Sequence, residues 1–449
     1  MAAAILKREI SSVELVELHL ERIEQINPEI NAVVHSLAGP ALQEAAAADA
    51  KLARGEQCGP LHGVPFSVKD SIDVRGAPCT AGTLGRRNAQ CAQEDATLVR
   101  RLRAAGGIPI AKTNLPDLLF AFESDNCIFG RSNNPYDVTR TPGGSSGGES
   151  ALIAACGSPL GLGSDCAGSV RLPAAFCGIA GIKPTSGRLP RTGHVPPASG
   201  WIEKLWQIGP MARWTEDLIL AMKLLSAEDG VDLASPPVPL IECGDIRALR
   251  AAFFTDNGIA NCAPEVRSAI ENCARALAGF GMNVEESTPP CIEQSYELEM
   301  AILGADGVDG IDEYLREIGG TEVHPLLTSF TNRMRPFRAT ASEFAKRWGQ
   351  WEEYRSQMAR FFDRFDVVLC PTYTQTALKH GESMKDSNFA GFSYTMAWNV
   401  AGFPAATVRC ADAEGLPINV QAVAKPWRDL TALSVCKIIE EQFGGWQAP

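Results

Sequence analysis

The sequence predicts an α/β fold built on a mixed sheet, and three observations predict it. A strand, a helix and a second strand follow one another between residues 62 and 114, as "HGVPFSVKD", "EDATLVRRLRAAG" and "GIPIAKTN". That order marks a crossover unit, which lays its two strands parallel. Further short apolar strands recur in "DIRALRAAFFTD" (245–256), "FDVVLCPT" (365–372) and "PINVQAVAK" (417–425). Residues 290–364 carry helical patterning without strand signals, and read as an insertion covering the sheet.

The elements follow in order. Ser11 and Glu14 fit a capping box ahead of an amphipathic helix whose Val13, Val16, Leu20 and Ile23 share one face. An Ala-rich helix is expected over 40–54. After the crossover unit, "ESALIAACG" reads as a short helix and "SPLGLGS" as an apolar return strand. The segment 263–280 places Val266, Ile270, Cys273, Leu277 and Phe280 on one helical stripe, and a last helix runs from Asp429 to about Phe443. The Pro-rich "ASPPVPLIE" (234–242) is the best internal linker, and no short-period repeat interrupts the chain. The 449 residues read as a single domain, with a core over about 5–235 and 363–445 and a divergent helical cap over about 290–364.

Bulk properties exclude several classes. A net charge of −12 gives no electrostatic footprint for nucleic acid and argues against an anionic membrane surface. No stretch offers the roughly 18 consecutive apolar residues of a membrane span. The N-terminus lacks a signal-peptide cleavage pattern, and the 14 cysteines show no C-x-x-C pair. The expectation is therefore a cytoplasmic protein with reduced thiols, no metal and no cofactor. His19, His35, His62, His194, His324 and His380 are dispersed without ligand spacing.

The chemistry concentrates in "TRTPGGSSGGES" (139–150), where four glycines surround Ser145 and Ser146. A phosphate loop needs Gly-Lys-Ser/Thr at its end, whereas Glu149 follows the last glycine here. A nucleophile elbow matches formally, since "GGSSG" centres Ser145 in G-x-S-x-G. Yet the elbow needs an apolar strand before it, and "NNPYDVTRTP" is polar and interrupted by proline. A wider window adds "GSDCAGSVR", which contains Ser169. The helix and the return strand that separate Ser145 from Ser169 would bring the two serines together. The small residues of "CAGS" leave the N–H groups of Cys166, Ala167, Gly168 and Ser169 open to an oxyanion. A buried, neutral lysine can serve as base. Lys69, at the end of its strand, is one candidate; pairing with Asp70 or Asp73 is the equal alternative from the residues alone.

The stretch "GGSSGGESALIAACGSPLGLGSDCAGSVRLPA" (143–174) resembles the amidase signature family throughout its length. The flanks "LHGVPFSVKDSIDVRG", "GIAGIKPTSGRLPRTG" and "WNVAGFPAATV" resemble it too, whereas residues 240–360 match poorly. The resemblance implies a large twisted mixed β-sheet flanked by helices on both faces. It also implies a Ser–cisSer–Lys triad: Ser169 as nucleophile, Ser145 as the bridging serine after a cis peptide bond, and Lys69 as base. Gly144 removes a Cβ from that crowded bond. Cys166, Ala167, Gly168 and Ser169 would supply the oxyanion hole, although many members carry two glycines where this chain has Ala167-Gly168. Asp165 and Arg171 would hold the nucleophile loop, and Ser146 would support the triad or cap the next helix. Leu119 and Phe120 match a segment bordering the substrate. Cys166 is not expected as nucleophile, and His62, His194 and Asp117 receive no role.

The resemblance implies a cofactor-independent serine hydrolase cleaving aryl or small hydrophobic amides, and esters with them. Two alternatives stay open: a urethanase acting on carbamates, and the amidase subunit of a tRNA-dependent amidotransferase complex, which no basic patch or appended domain supports. The expected partner is a small amide or carbamate, with no nucleic acid and no membrane, the protein being a monomer or homodimer. Met300, Leu303, Phe330, Met334, Phe337, Trp348 and Trp351 could line a broad apolar entrance, with about two-thirds of them expected to be ordinary cap-helix core instead.

Overall fold

The strands, in chain order, are β1 (Val33–Ser36), β2 (Pro65–Lys69), β3 (Ile108–Thr113), β4 (Leu160–Asp165), β5 (Ala180–Lys183), β6 (Gln207–Ala212), β7 (Arg250–Phe253), β8 (Asn283–Glu286), β9 (Val367–Pro371), β10 (Ala405–Ala413) and β11 (Leu416–Ala424). In this computed structural model, which describes residues 1–197, 200–320 and 322–449, all eleven join one sheet. Their order is β1-β3-β2-β4-β6-β5-β10-β11-β9-β7-β8. The sheet is mixed: β2 pairs parallel with β3 and β4, and β7 with β8 and β9, while the remaining pairs are antiparallel.

The crossover expected from the sequence is present. Helix Thr97–Ala104 links β2 to β3, burying Leu98, Val99 and Leu102. Every residue of β2, β3 and β4 is buried, as befits strands covered on both faces. The glycine-serine run opens helix Gly147–Ala154, which packs on β2, β3, β4 and β6. At the N-terminus, the Ser11 hydroxyl accepts from Glu14 N–H (3.1 Å) and the Glu14 carboxylate accepts from Ser11 N–H (2.8 Å), closing the capping box of helix Ser12–Ile30. The Ala-rich helix runs Ala38–Ala53, and the last helix Asp429–Phe443.

Between 287 and 366 the described residues form helices without a strand: Ser295–Leu303, Asp309–Glu317, Pro325–Met334 and Ala341–Phe361. Helix Ser295–Leu303 packs on helix Ser393–Ala401, and helix Pro325–Met334 contacts the turn Asp117–Leu119. These contacts bring Leu303 and Phe330 beside Leu119 and Phe120. The segment 226–245, which includes the Pro-rich stretch, holds neither helix nor strand. Among the described residues, no helix is long and apolar enough to cross a membrane.

Candidate active site

Lys69 ends β2 and Ser164 lies near the end of β4. These strands are parallel neighbours, so both residues emerge at the same edge of the sheet. The Lys69 side chain is fully buried, and its Nζ lies 2.7 Å from Ser145 Oγ, 3.1 Å from Ser164 Oγ and 3.4 Å from the Ser164 carbonyl. Burial pushes its pKa well below the usual lysine range, against the opposing pull of Asp165, Glu149 and Cys166. Asp70 does not pair with it. Its Oδ1 lies 3.0 Å from Lys112 Nζ, and both of those side chains are buried. The register explains the division: Lys69 lies opposite Thr113 and Val68 opposite Lys112, so the pleat sends the two lysines to opposite faces.

The peptide bond between Gly144 and Ser145 is cis. A Cβ on Gly144 would come within 2.6 Å of Glu123 N and 2.7 Å of the Ala121 carbonyl, so the backbone approach here requires glycine. Ser146 makes no side-chain cap on the helix that follows. Its hydroxyl instead donates to the Ser164 carbonyl and accepts from Ser164 N–H, both at 3.3 Å, while its N–H donates to the Ser169 carbonyl at 3.1 Å. This ties the loop of Ser145 to β4 and to the Ser169 loop.

Asp165 organises the Ser169 loop. Its carboxylate accepts from Gly168 N–H (2.8 Å), Val170 N–H (3.2 Å), Asn399 Nδ2 (2.9 Å) and two nitrogens of Arg171 at 3.0 Å. Burial alone would raise its pKa, but the Arg171 and Asn399 contacts hold it well below the ordinary carboxylate range. Arg171 also donates to Thr395 O (3.0 Å) and Gln421 Oε1 (2.8 Å), anchoring the loop to the far half of the sheet. Of the four N–H groups expected from the sequence as oxyanion donors, that of Gly168 donates to Asp165 Oδ1. That leaves the N–H groups of Cys166, Ala167 and Ser169 as the candidate oxyanion donors.

Ser145, Ser164 and Ser169 line one small cavity of about 20 Å³, together with Leu119, Phe120, Ala121, Phe122, Cys166, Ala167, Trp206, Leu303 and Phe330. Phe120, Trp206 and Leu303 also border a neighbouring cavity of about 390 Å³, lined further by Trp201, Ile202, Ile311 and Tyr314. Of the seven cap residues singled out as an entrance, Leu303 and Phe330 line the small cavity. Met300, Met334 and Trp351 are buried in the core, and Phe337 and Trp348 are half-buried against it. Cys166 lines the same cavity, and burial pushes its thiol pKa well up.

Ser164 and Trp206, which received no role from the sequence, line this cavity, and His194 contacts Ser164. Ser164 sits inside the recognised motif without a signal of its own. His194 lies well beyond Ser169, in a loop with no readable pattern, yet its Nε2 is 3.1 Å from Ser164 Oγ and 3.3 Å from Ser71 Oγ. Nothing in the spacing could have found that contact. Asp117 sits away from the serines, its carboxylate accepting from His324 N–H at 2.9 Å.

Known proteins of similar sequence and structure point the same way. A family model described as Amidase matches residues 14–433. The chain is 33% identical to fatty-acid amide hydrolase 2-A of Danio rerio over 485 residues, covering 100% of this chain and 89% of that protein. It is 30% identical to a glutamyl-tRNA(Gln) amidotransferase subunit of Heliobacterium modesticaldum, covering 98% and 95%. Among solved structures, a bacterial aryl acylamidase of the amidase signature enzymes superposes with a TM-score of 0.87 at 26% identity, covering 98% of this chain and 94% of that one.

Proposed function

The chain belongs to the amidase signature family and is an amide-hydrolysing enzyme; from that premise we propose that it cleaves aryl or small hydrophobic amides through an acyl-enzyme on Ser169. The observation that carries this reading is the 2.7 Å contact between Ser145 Oγ and the fully buried Nζ of Lys69. A lysine whose ammonium form is disfavoured by burial keeps the lone pair a base needs.

The steps build on the Lys69–Ser145 contact and on the cavity that Ser145 and Ser169 both line. The Lys69 lone pair takes the Ser145 hydroxyl proton as Ser145 takes that of Ser169, and Ser169 Oγ bonds to the substrate carbonyl carbon. The carbonyl oxygen becomes an oxyanion held by the N–H groups of Cys166, Ala167 and Ser169. As the C–N bond breaks, the leaving nitrogen receives a proton through Ser145. Water then attacks the acyl carbon, giving its proton to the same relay, and the carboxylic acid leaves with Ser169 restored. Asp165 and Arg171 hold the loop throughout.

Substrate class is read from the walls. Phe120, Phe122, Trp206, Leu303 and Phe330 surround the serines with apolar and aromatic surface, which favours an apolar group beside the scissile bond. On this reading the helices of residues 290–364 act as a substrate-facing cap through Leu303 and Phe330. A rate panel of anilides, aliphatic amides, amino-acid amides and aryl carbamates tests it. Anilides should give the highest kcat/KM, and a preference for primary aliphatic amides or for carbamates would overturn the assignment.

A further inference from the structure

We propose that His194 is a positioning residue for the proton relay: acting through Ser164, it sets the direction of the hydrogen bonds around Lys69. The proposal rests on the Ser169–Ser145–Lys69 reading above. Its starting point is the Pro196 carbonyl, 3.1 Å from His194 Nδ1. A carbonyl can only accept, so Nδ1 carries the ring proton and Nε2 of the neutral imidazole is an acceptor. Burial keeps the ring neutral, pushing its pKa down to about 3, and the Arg191 guanidinium acts in the same direction. The Trp206 ring stands edge-on at 5.1 Å and closes off another side.

An acceptor at Nε2 dictates the next bond. Two hydroxyls reach Nε2, Ser164 at 3.1 Å and Ser71 at 3.3 Å, and the shorter contact assigns the Ser164 proton to His194. The Ser164 oxygen then offers only lone pairs toward Lys69 Nζ, also 3.1 Å distant. A neutral lysine has two N–H donors and one lone pair. Ser164 Oγ and the Ser164 carbonyl take the two donors, and the lone pair is left facing Ser145 Oγ, where the proton must arrive. Without His194 the Ser164 hydroxyl is free to turn and donate to Lys69. That bond occupies the lone pair and makes Lys69 a donor to Ser145, which stalls the relay.

Two consequences of losing His194 differ in sign. Turning the Ser164 hydroxyl toward Lys69 stabilises the neutral amine, so the acid limb of the kcat profile moves to lower pH while the plateau falls. Mere loosening of the site has the opposite effect: water reaching Lys69 relieves its desolvation and moves the limb to higher pH. Asp165, Glu149 and Cys166, the other groups acting on Lys69, are untouched in either case.

The experiment measures para-nitroacetanilide hydrolysis against pH for the full chain and four variants. His194→Leu should lower kcat about tenfold or more with KM unchanged and the limb at lower pH. His194→Gln, whose amide oxygen can accept from Ser164, should recover most of the loss. Ser164→Ala leaves the imidazole against Trp206 and carries its own expectation of a lowered plateau, even if His194→Leu fails to fold. Wild-type kcat in Ser164→Ala or His194→Leu overturns the proposal, as does a limb displaced to higher pH or equal damage from Leu and Gln. Ser169→Ala separates the two readings: retained activity there refutes the serine relay itself, whereas its loss together with a normal His194→Leu refutes only the role of His194.

Discussion

Arg171 and Asp165 pair through two contacts, Nε to Oδ2 and Nη2 to Oδ1, both at 3.0 Å, and neither side chain reaches solvent. The pair joins the loop after β4 to Asn399 and Gln421, residues from the distant C-terminal part of the chain. Its value lies in what its loss leaves behind. Arg171→Met strands a buried carboxylate, and removing one partner of such a pair costs about 3–5 kcal/mol. Urea denaturation should show that loss near neutral pH. The deficit should shrink as the pH falls toward about 4, where the stranded carboxylate can take up a proton. A variant as stable as the wild type would show that the loop does not depend on this anchor.

Lys69 gives a prediction that separates function from stability. The unfolded chain holds the Lys69 proton up to about pH 10.4, whereas burial lowers the folded value well below this. Between the two values the unfolded state binds more protons, so stability rises with pH through that window and falls as the pH drops through it. Lys69→Met lacks this term. It should be inactive yet more stable than the wild type at neutral pH, and the excess should shrink as the pH approaches about 10. Thermal melts across that range check it, and a destabilised Lys69→Met at neutral pH would contradict the neutral-base account.

Phe330 tests the cap. It lines the cavity of Ser145 and Ser169 and packs its ring 5.7 Å from Phe120 and 6.0 Å from Phe122. Phe330→Ala should lower kcat/KM for anilides about 10- to 200-fold, the range for lost apolar contact in a pocket. Rates for small aliphatic amides should change much less. Equal losses for both classes would place Phe330 in folding rather than recognition.

Much of this site was legible because its parts lie in one contiguous motif. Ser145, Ser146, Asp165, Ser169 and Arg171 all fall between positions 145 and 171, and a helix and a strand of readable pattern bring them together. Lys69 was ambiguous from the residues alone, because Asp70 and Asp73 follow it closely. Only the β2–β3 register separates it from Lys112, and register depends on pairing between segments that a whole helix keeps apart in the chain. The bond from Gly168 N–H to Asp165 depends on the turn after β4, which the residue pattern does not signal. His194 left no signal, because a lone histidine in a proline-rich loop becomes meaningful only when the loop folds over Ser164.

In the proposed mechanism Ser169 carries the acyl group. Brief exposure to para-nitrophenyl acetate, acid quenching and peptide mass mapping tests it most directly, because Ser145 and Cys166 line the same cavity and compete for the assignment. The expected result is an acetyl group on the Ser169 hydroxyl that is absent from Ser169→Ala. An acetyl group on Cys166 or Ser145 in the wild type, with Ser169 unmodified, would contradict it.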